Sequence, residues 1–175
     1  LSVPVLTKGL HGQLICEARI NNSTNWQEKH FKSLWTSYKQ TPFFSKYEYI
    51  LEAIYKTSTW EFIADLNIFS TKLIAEALGI EVEWYTSSSL MQSGGKNGER
   101  AINICKTLNA KHFINGPSSK EFLDETLFPV NGIVLEYIEY KYPTYPQRHG
   151  AFSHHVSVLD VMFHCGPNAP DYIFK

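Results

Sequence analysis

Residues 97–117 read Asn97-Gly98-Glu99-Arg100-Ala101-Ile102-Asn103-Ile104-Cys105-Lys106-Thr107-Leu108-Asn109-Ala110-Lys111-His112-Phe113-Ile114-Asn115-Gly116-Pro117. The stretch predicts a helix over 97–108, a strand over 112–115, and a break at Gly116-Pro117. Working outward, Ile80–Tyr85 reads as a strand before it. A short helix over 117–123 and a strand over 133–139 follow it. Strand, helix, strand, helix, strand at these lengths is the mark of right-handed crossovers and a parallel sheet. The expected fold class is therefore α/β, a Rossmann-like parallel sheet flanked by helices.

Further out, the expected sheet carries an inserted helical segment and an N-terminal β-hairpin. Residues 2–6 and 13–20 alternate as strands around a turn at Gly9–Gly12. Thr24 with Gln27 forms a capping box, Asn25 being an alternative cap, and starts a helix over 25–40. Its core face would carry Trp26, Phe31, Leu34, Trp35 and Tyr38, and Pro42 stops it. A second helix spans about 43–55. Ser58 with Glu61 is a further capping box for a third over 60–78, with Gly79 as its C-cap. After a Tyr-, Pro- and His-rich loop (140–155), a last helix over 156–164 ends at Gly166-Pro167.

Composition sets the limits. The 175 residues suit a single domain over 1–175. With 4 Trp, 10 Tyr and 11 Phe, the chain can build a core without disulfides or metal. Its 16 basic and 17 acidic residues leave a net charge of −1, so no global field gathers nucleic acid. No apolar run approaches the ~18 residues of a transmembrane segment. Cys16, Cys105 and Cys165 are scattered, which fits reduced thiols, and no secretory signal is visible. The expected localisation is cytoplasmic. The chain opens at Leu1 on the apolar run Leu1-Ser2-Val3-Pro4-Val5-Leu6, so an upstream segment is expected to be missing and any site incomplete.

Ligands of open parallel sheets bind beyond the carboxyl ends of the strands. That rule singles out the loops 86–98, 116–119 and 141–147. Gly116 lets backbone approach a ligand, Pro117 suits a helix start, and Ser118 with Glu121 forms a capping box; a helix N-terminus attracts anions. Simple capping explains Ser118 equally well. The loop Ser93-Gly94-Gly95-Lys96-Asn97-Gly98 reads as a surface connection or a lid with one cation, and it lacks the order of a Walker motif. Glu99 suits a helix start, whereas Arg100 there calls for an anion or carboxylate.

Asn25–Lys32 is the densest polar and aromatic cluster. His30 is either an ordinary boundary histidine or a general base whose protonation Lys29 and Lys32 disfavour. His154-His155 and His164-Cys165 match no metal-binding spacing. No metal and no cofactor is expected.

Longer strings go further. Asn25-Trp26-x-x-Lys29-His30-x-Lys32, Tyr38, Pro42-Phe43-Phe44 and Leu66–Ile80 resemble the WbqC-like family of bacterial proteins. So do Glu99-Arg100, Ile104-Cys105-Lys106, Asn115–Lys120 and Phe122-Leu123-Asp124. Tyr145-Pro146-Gln147, Ser157–Asp160 and Cys165-Gly166-Pro167 complete a series that covers nearly the whole chain. Gly98 departs from the Thr common in the family, and Phe122 from the Tyr.

The resemblance implies surface-polysaccharide (O-antigen) biosynthesis, with transfer of glycine or a similar acyl group onto an amino sugar carried on a nucleotide. His30 and Ser118 are then the catalytic candidates. Asn25, Trp26, Lys29, Lys32, Glu99, Arg100, Gly116, Ser119, Tyr145, Gln147 and Asp160 are the substrate-binding candidates. The partner is a small molecule such as a nucleotide-linked sugar, and homo-oligomers are possible. Two alternatives compete: a nucleotidyltransferase-like enzyme on the same cleft, and a non-catalytic member of a polysaccharide assembly complex.

Overall fold

A computed structural model describes residues 1–90, 94–141 and 143–174. Its main elements, in order, are α1 (Trp26–Tyr38), α2 (Phe44–Glu52), α3 (Ile63–Ala77), α4 (Asn97–Thr107), β1 (His112–Asn115), α5 (Leu127–Val130), β2 (Val134–Tyr137), α6 (Val158–Cys165) and α7 (Ala169–Ile173). The chain divides into two compact units, residues 1–81 with 142–175, and residues 82–141.

The first unit is helical. Phe44, Tyr47, Ile50 and Leu51 repeat at helical spacing on α2 and are buried. Against them pack Trp26 of α1, Leu66 of α3 and a block from α6, of which Met162 and Phe163 are fully enclosed. Beyond α2 the backbone loosens into a π-helical turn, Ala53–Thr57. Gly166 ends α6 at φ +59°, and a Cβ there would lie 2.4 Å from the Phe43 ring, so only glycine fits.

The second unit holds a two-stranded parallel sheet in the register His112↔Val134 to Asn115↔Tyr137. One face turns Phe113 and Leu135 onto Ile102, Cys105 and Phe128 of the flanking helices. Gly132, at φ +68°, makes the turn that returns the chain from α5 into β2.

The parallel crossover anticipated over 97–139 is present, and β1 has the expected limits. Ile80–Tyr85 is no strand, and the sheet has two strands among the described residues. That segment alternates as a strand should, yet its Val82, Trp84 and Tyr85 are exposed and no strand pairs with it, and pairing is what defines a strand. The N-terminal hairpin reduces to an isolated antiparallel bridge, Val5↔Ile20, with a second bridge from Arg19 to Phe62. Pro4 has no N–H to donate and Ile15–Glu17 coils into a 3-10 turn, so a ladder does not propagate. The short helices α5 and α7 escaped the sequence reading because four or five residues carry too little periodicity.

The capping boxes fail as well. Ser58 does not cap α3, which starts after Phe62, and Asn25 occupies the N-cap of α1 without a side-chain bond to the helix backbone. Gln27 instead sends its amide to the carbonyls of Ile54, Tyr55 and Ser58, tying α1 to the π turn. Among the described residues no helix is long and apolar enough to cross a membrane.

Candidate functional site

In the first unit, α1 directs one face inward at Trp26 and His30, the only buried positions of the helix. The His30 ring lies edge-on to Trp26 at 5.3 Å and to Tyr55 at 5.8 Å. Its pKa falls below the ordinary value of 6.5, chiefly because burial disfavours the imidazolium. The expectation that lysines would do this is corrected: Lys29 is exposed, and Lys32 pairs with Glu28 one turn back. Glu28 also accepts from Asn25. Its pKa is lowered, first by Lys32 and then by Asn25. His30 is thus a neutral, enclosed imidazole.

Trp26 also lines a cavity of about 510 Å³. Residues 22–27, Thr59 and Trp60 line it, and none is charged. Asn22 fixes its floor, donating to the Trp60 carbonyl at 2.8 Å and accepting from the Trp26 indole N–H at 3.0 Å. The Trp60 indole donates to the Ile54 carbonyl at 2.7 Å.

A second polar centre of this unit gathers three residues singled out in the sequence. Asp160, on the first turn of α6, is 6% exposed. Its Oδ2 accepts from the Tyr145 hydroxyl at 2.8 Å and from Gln147 Nε2 at 3.0 Å. The Gln147 amide also exchanges hydrogen bonds with the main chain of Ser153, closing the loop 147–153 on itself. Arg148 donates its N–H to His164 Nε2 at 3.0 Å, so the other ring nitrogen, Nδ1, carries the proton and donates to the Asp160 carbonyl at 2.8 Å. Tyr38 joins from α1; burial, then the Asp160 charge, push its hydroxyl up to about 12. Burial, then the bond to Asp160, likewise raises Tyr145. Tyr38 and His164 were missed in the sequence as members of this group. The i,i+4 spacing of Asp160 and His164 on a helix was the available signal.

The remaining candidates belong to the second unit. Arg100, exposed on the first turn of α4, donates to the Ser87 hydroxyl at 2.8 Å. Glu99 folds over Gly95, whose φ of +97° and missing Cβ make the space. The expected helix at 117–123 is a 3-10 turn, Pro117–Glu121, and Ser118 does not cap it. Its amides are mostly engaged: Gly116 N–H bonds Asn115 Oδ1 at 2.9 Å and Ser119 N–H bonds the Gly116 carbonyl at 3.2 Å. Pro117 has no N–H, which leaves that of Ser118. The Ser119 hydroxyl is buried and donates to the Gly116 carbonyl at 2.7 Å, a structural bond. Of the sequence-marked loops, residues 91–93 and Tyr142 lie outside the described residues.

A model of the WbqC-like protein family matches residues 1–172. The chain is also 32% identical over 174 residues to "Uncharacterized protein Rv1507c" of Mycobacterium tuberculosis (strain ATCC 25618 / H37Rv), covering 99% of this chain and 74% of that protein. No solved structure matches the chain.

Proposed function

The chain belongs to the WbqC-like protein family, and from that premise we propose that it transfers an acyl group, glycyl in the simplest case, onto the amine of a nucleotide-linked amino sugar used in bacterial surface polysaccharide. The observation that carries the reading is the state of His30. A desolvated imidazole, lowered from its ordinary pKa and packed edge-on to Trp26, is held in its neutral form near neutral pH, the form a general base needs.

In the proposed step the sugar amine attacks the acyl carbonyl and a C–N bond forms. His30 takes the amine proton, and the bond from acyl carbon to its carrier breaks with the electron pair leaving on the carrier. His30 is 7% exposed, so the proton reaches it from a group seated against Trp26 or through one water. In the first unit Lys29 is assigned to phosphate. The roles proposed for Arg100 and Ser118 in the second unit, an anion contact and a hydrogen-bond donor to substrate, stand apart from this step. Asn25 and Trp26 belong to the acceptor pocket.

Incubation of the protein with UDP- or dTDP-linked amino sugars and activated glycine tests this by mass spectrometry. The expected product is the nucleotide sugar heavier by one glycyl group. Pyrophosphate release with incorporation of a nucleotide would replace acyl transfer by nucleotidyl transfer. Unchanged substrates would refute both.

A further inference from the structure

A buried titratable group outside the proposed step meets a surface loop of the first unit. The side chain of His164, on α6, is 7% exposed, and its two ring nitrogens have opposite duties. Nδ1 faces the Asp160 carbonyl at 2.8 Å, and Nε2 receives the Arg148 main-chain N–H at 3.0 Å. A main-chain N–H can only donate, so Nε2 carries its lone pair. The rest of Arg148 reaches the end of α1, where its guanidinium donates to the main-chain carbonyl and the side-chain oxygen of Gln40. His149 follows, its Nε2 3.4 Å from the Ser37 carbonyl. At the base of the loop the Gln147 amide is tied to the main chain of Ser153.

A second proton on the ring ends this arrangement. It sits on Nε2 and sets N–H against N–H across 3.0 Å, two donors with no acceptor between them. The new N–H is enclosed, so it finds an acceptor only where the loop moves aside and admits water. Proton uptake and loop opening are therefore coupled, and falling pH draws the loop toward its open form. The Asp160 carboxylate, on α6, makes an imidazolium tolerable in so enclosed a place, but it does not supply the missing acceptor. Its Oδ2 lies 3.5 Å from Nδ1, the opposite nitrogen, and already accepts from Tyr145 and Gln147. Tyr38 from α1 and Tyr145 from the segment before the loop each set a ring 6.2 Å from His164. Burial above all raises both hydroxyls, so they stay neutral donors. The neighbouring Cys165 thiol, raised by burial and then by Asp160, is neutral too. Arg148 brings a fixed positive charge, held by Gln40, and His149, His154 and His155 lie on the same stretch of chain.

We propose that His164 is a proton-sensitive latch on the loop 147–153. The neutral ring accepts the Arg148 N–H and holds the loop on α6. The protonated ring releases residues 148–152, while Gln147 and Ser153 keep the base of the loop closed. The latch is independent of acyl transfer.

NMR on the full chain, between about pH 7.5 and pH 5.5, tests it. The ring nitrogens of His164 report its protonation, and the Arg148 amide reports the latch through hydrogen exchange corrected for the intrinsic effect of pH. In the native protein the ring is expected to pass from its Nδ1-protonated form to the imidazolium. Protection of the Arg148 amide should fall with it by roughly tenfold or more, while amides in α2 keep theirs. In His164→Gln the side-chain oxygen can still accept but does not titrate, so Arg148 should be equally protected at both ends of the range, with His149, His154 and His155 all present. A ring still neutral at the acid end, an imidazolium with Arg148 still protected, or an equal loss in His164→Gln each overturns the proposal. Should the variant not fold, the native titration decides alone. Ring and amide must then change with one midpoint, and separate midpoints overturn the latch.

Discussion

At the scale of single residues, His30, Asp160 and Gly166 show how local surroundings decide what a side chain does. His30 is neutral because it is enclosed, so acid should act on it through stability. Its folded pKa lies below the ordinary 6.5. The unfolded chain therefore takes up the proton first, and the folded state loses stability as pH falls below about 6.5 toward the depressed value. Thermal unfolding followed from pH 7.5 to 5 should show a steeper fall for the native protein than for His30→Gln; parallel curves would contradict the assignment. Asp160, singled out in the sequence as a ligand contact, has its Oδ2 filled by Tyr145 and Gln147. It acts as an anchor, and Asp160→Ala should cost about 1–3 kcal/mol by leaving those donors unpaired, read by urea unfolding. Gly166 tolerates no side chain beside Phe43. Gly166→Ala should lower the unfolding midpoint more than alanine at Gly9, where the backbone is equally left-handed but no atom lies near the missing Cβ.

At the scale of elements, what could be read in the sequence followed the physics of each element. Helices α1 to α4 have several turns of apolar spacing and strong terminators in Pro42 and Gly79, and their positions were legible to within three residues or so. β1 and β2 were legible because a helix and tight glycine turns bracket them. Ile80–Tyr85 had the right alternation, but a strand also needs a neighbour, which no local pattern supplies. Caps misled for a related reason: Gln27 found better acceptors 27 to 31 residues away than its own helix end offered. The site was partly legible in the same sense. Spacing and resemblance marked Trp26, His30, Tyr145, Gln147 and Asp160, and helical spacing offered His164, while Tyr55 and Tyr38 join through tertiary packing. Within α6, Phe163 is fully buried against Phe44 and Tyr38. Phe163→Ala should cost about 3–5 kcal/mol, checked by the shift of the chemical-denaturation midpoint.

At the scale of the whole molecule, the two units differ in how much they bury. The helical unit encloses a core running through α1, α2, α3 and α6, whereas the sheet unit encloses Ile102, Cys105, Phe128 and Ile133. Buried apolar area dominates folding stability, so amide hydrogen exchange should be slowest in α2 and α6 and faster in β1 and β2. Equal protection in both would contradict this ordering. The proposed acid–base chemistry sits at His30 in the better-packed unit, where an enclosed imidazole keeps its neutral form. The most direct test is the turnover number for acyl transfer to the nucleotide-linked amino sugar, compared between native protein and His30→Gln well below both unfolding temperatures. A fall of roughly 10²–10⁴ with KM little changed is the predicted result. Undiminished turnover by the glutamine variant would remove His30 from the reaction.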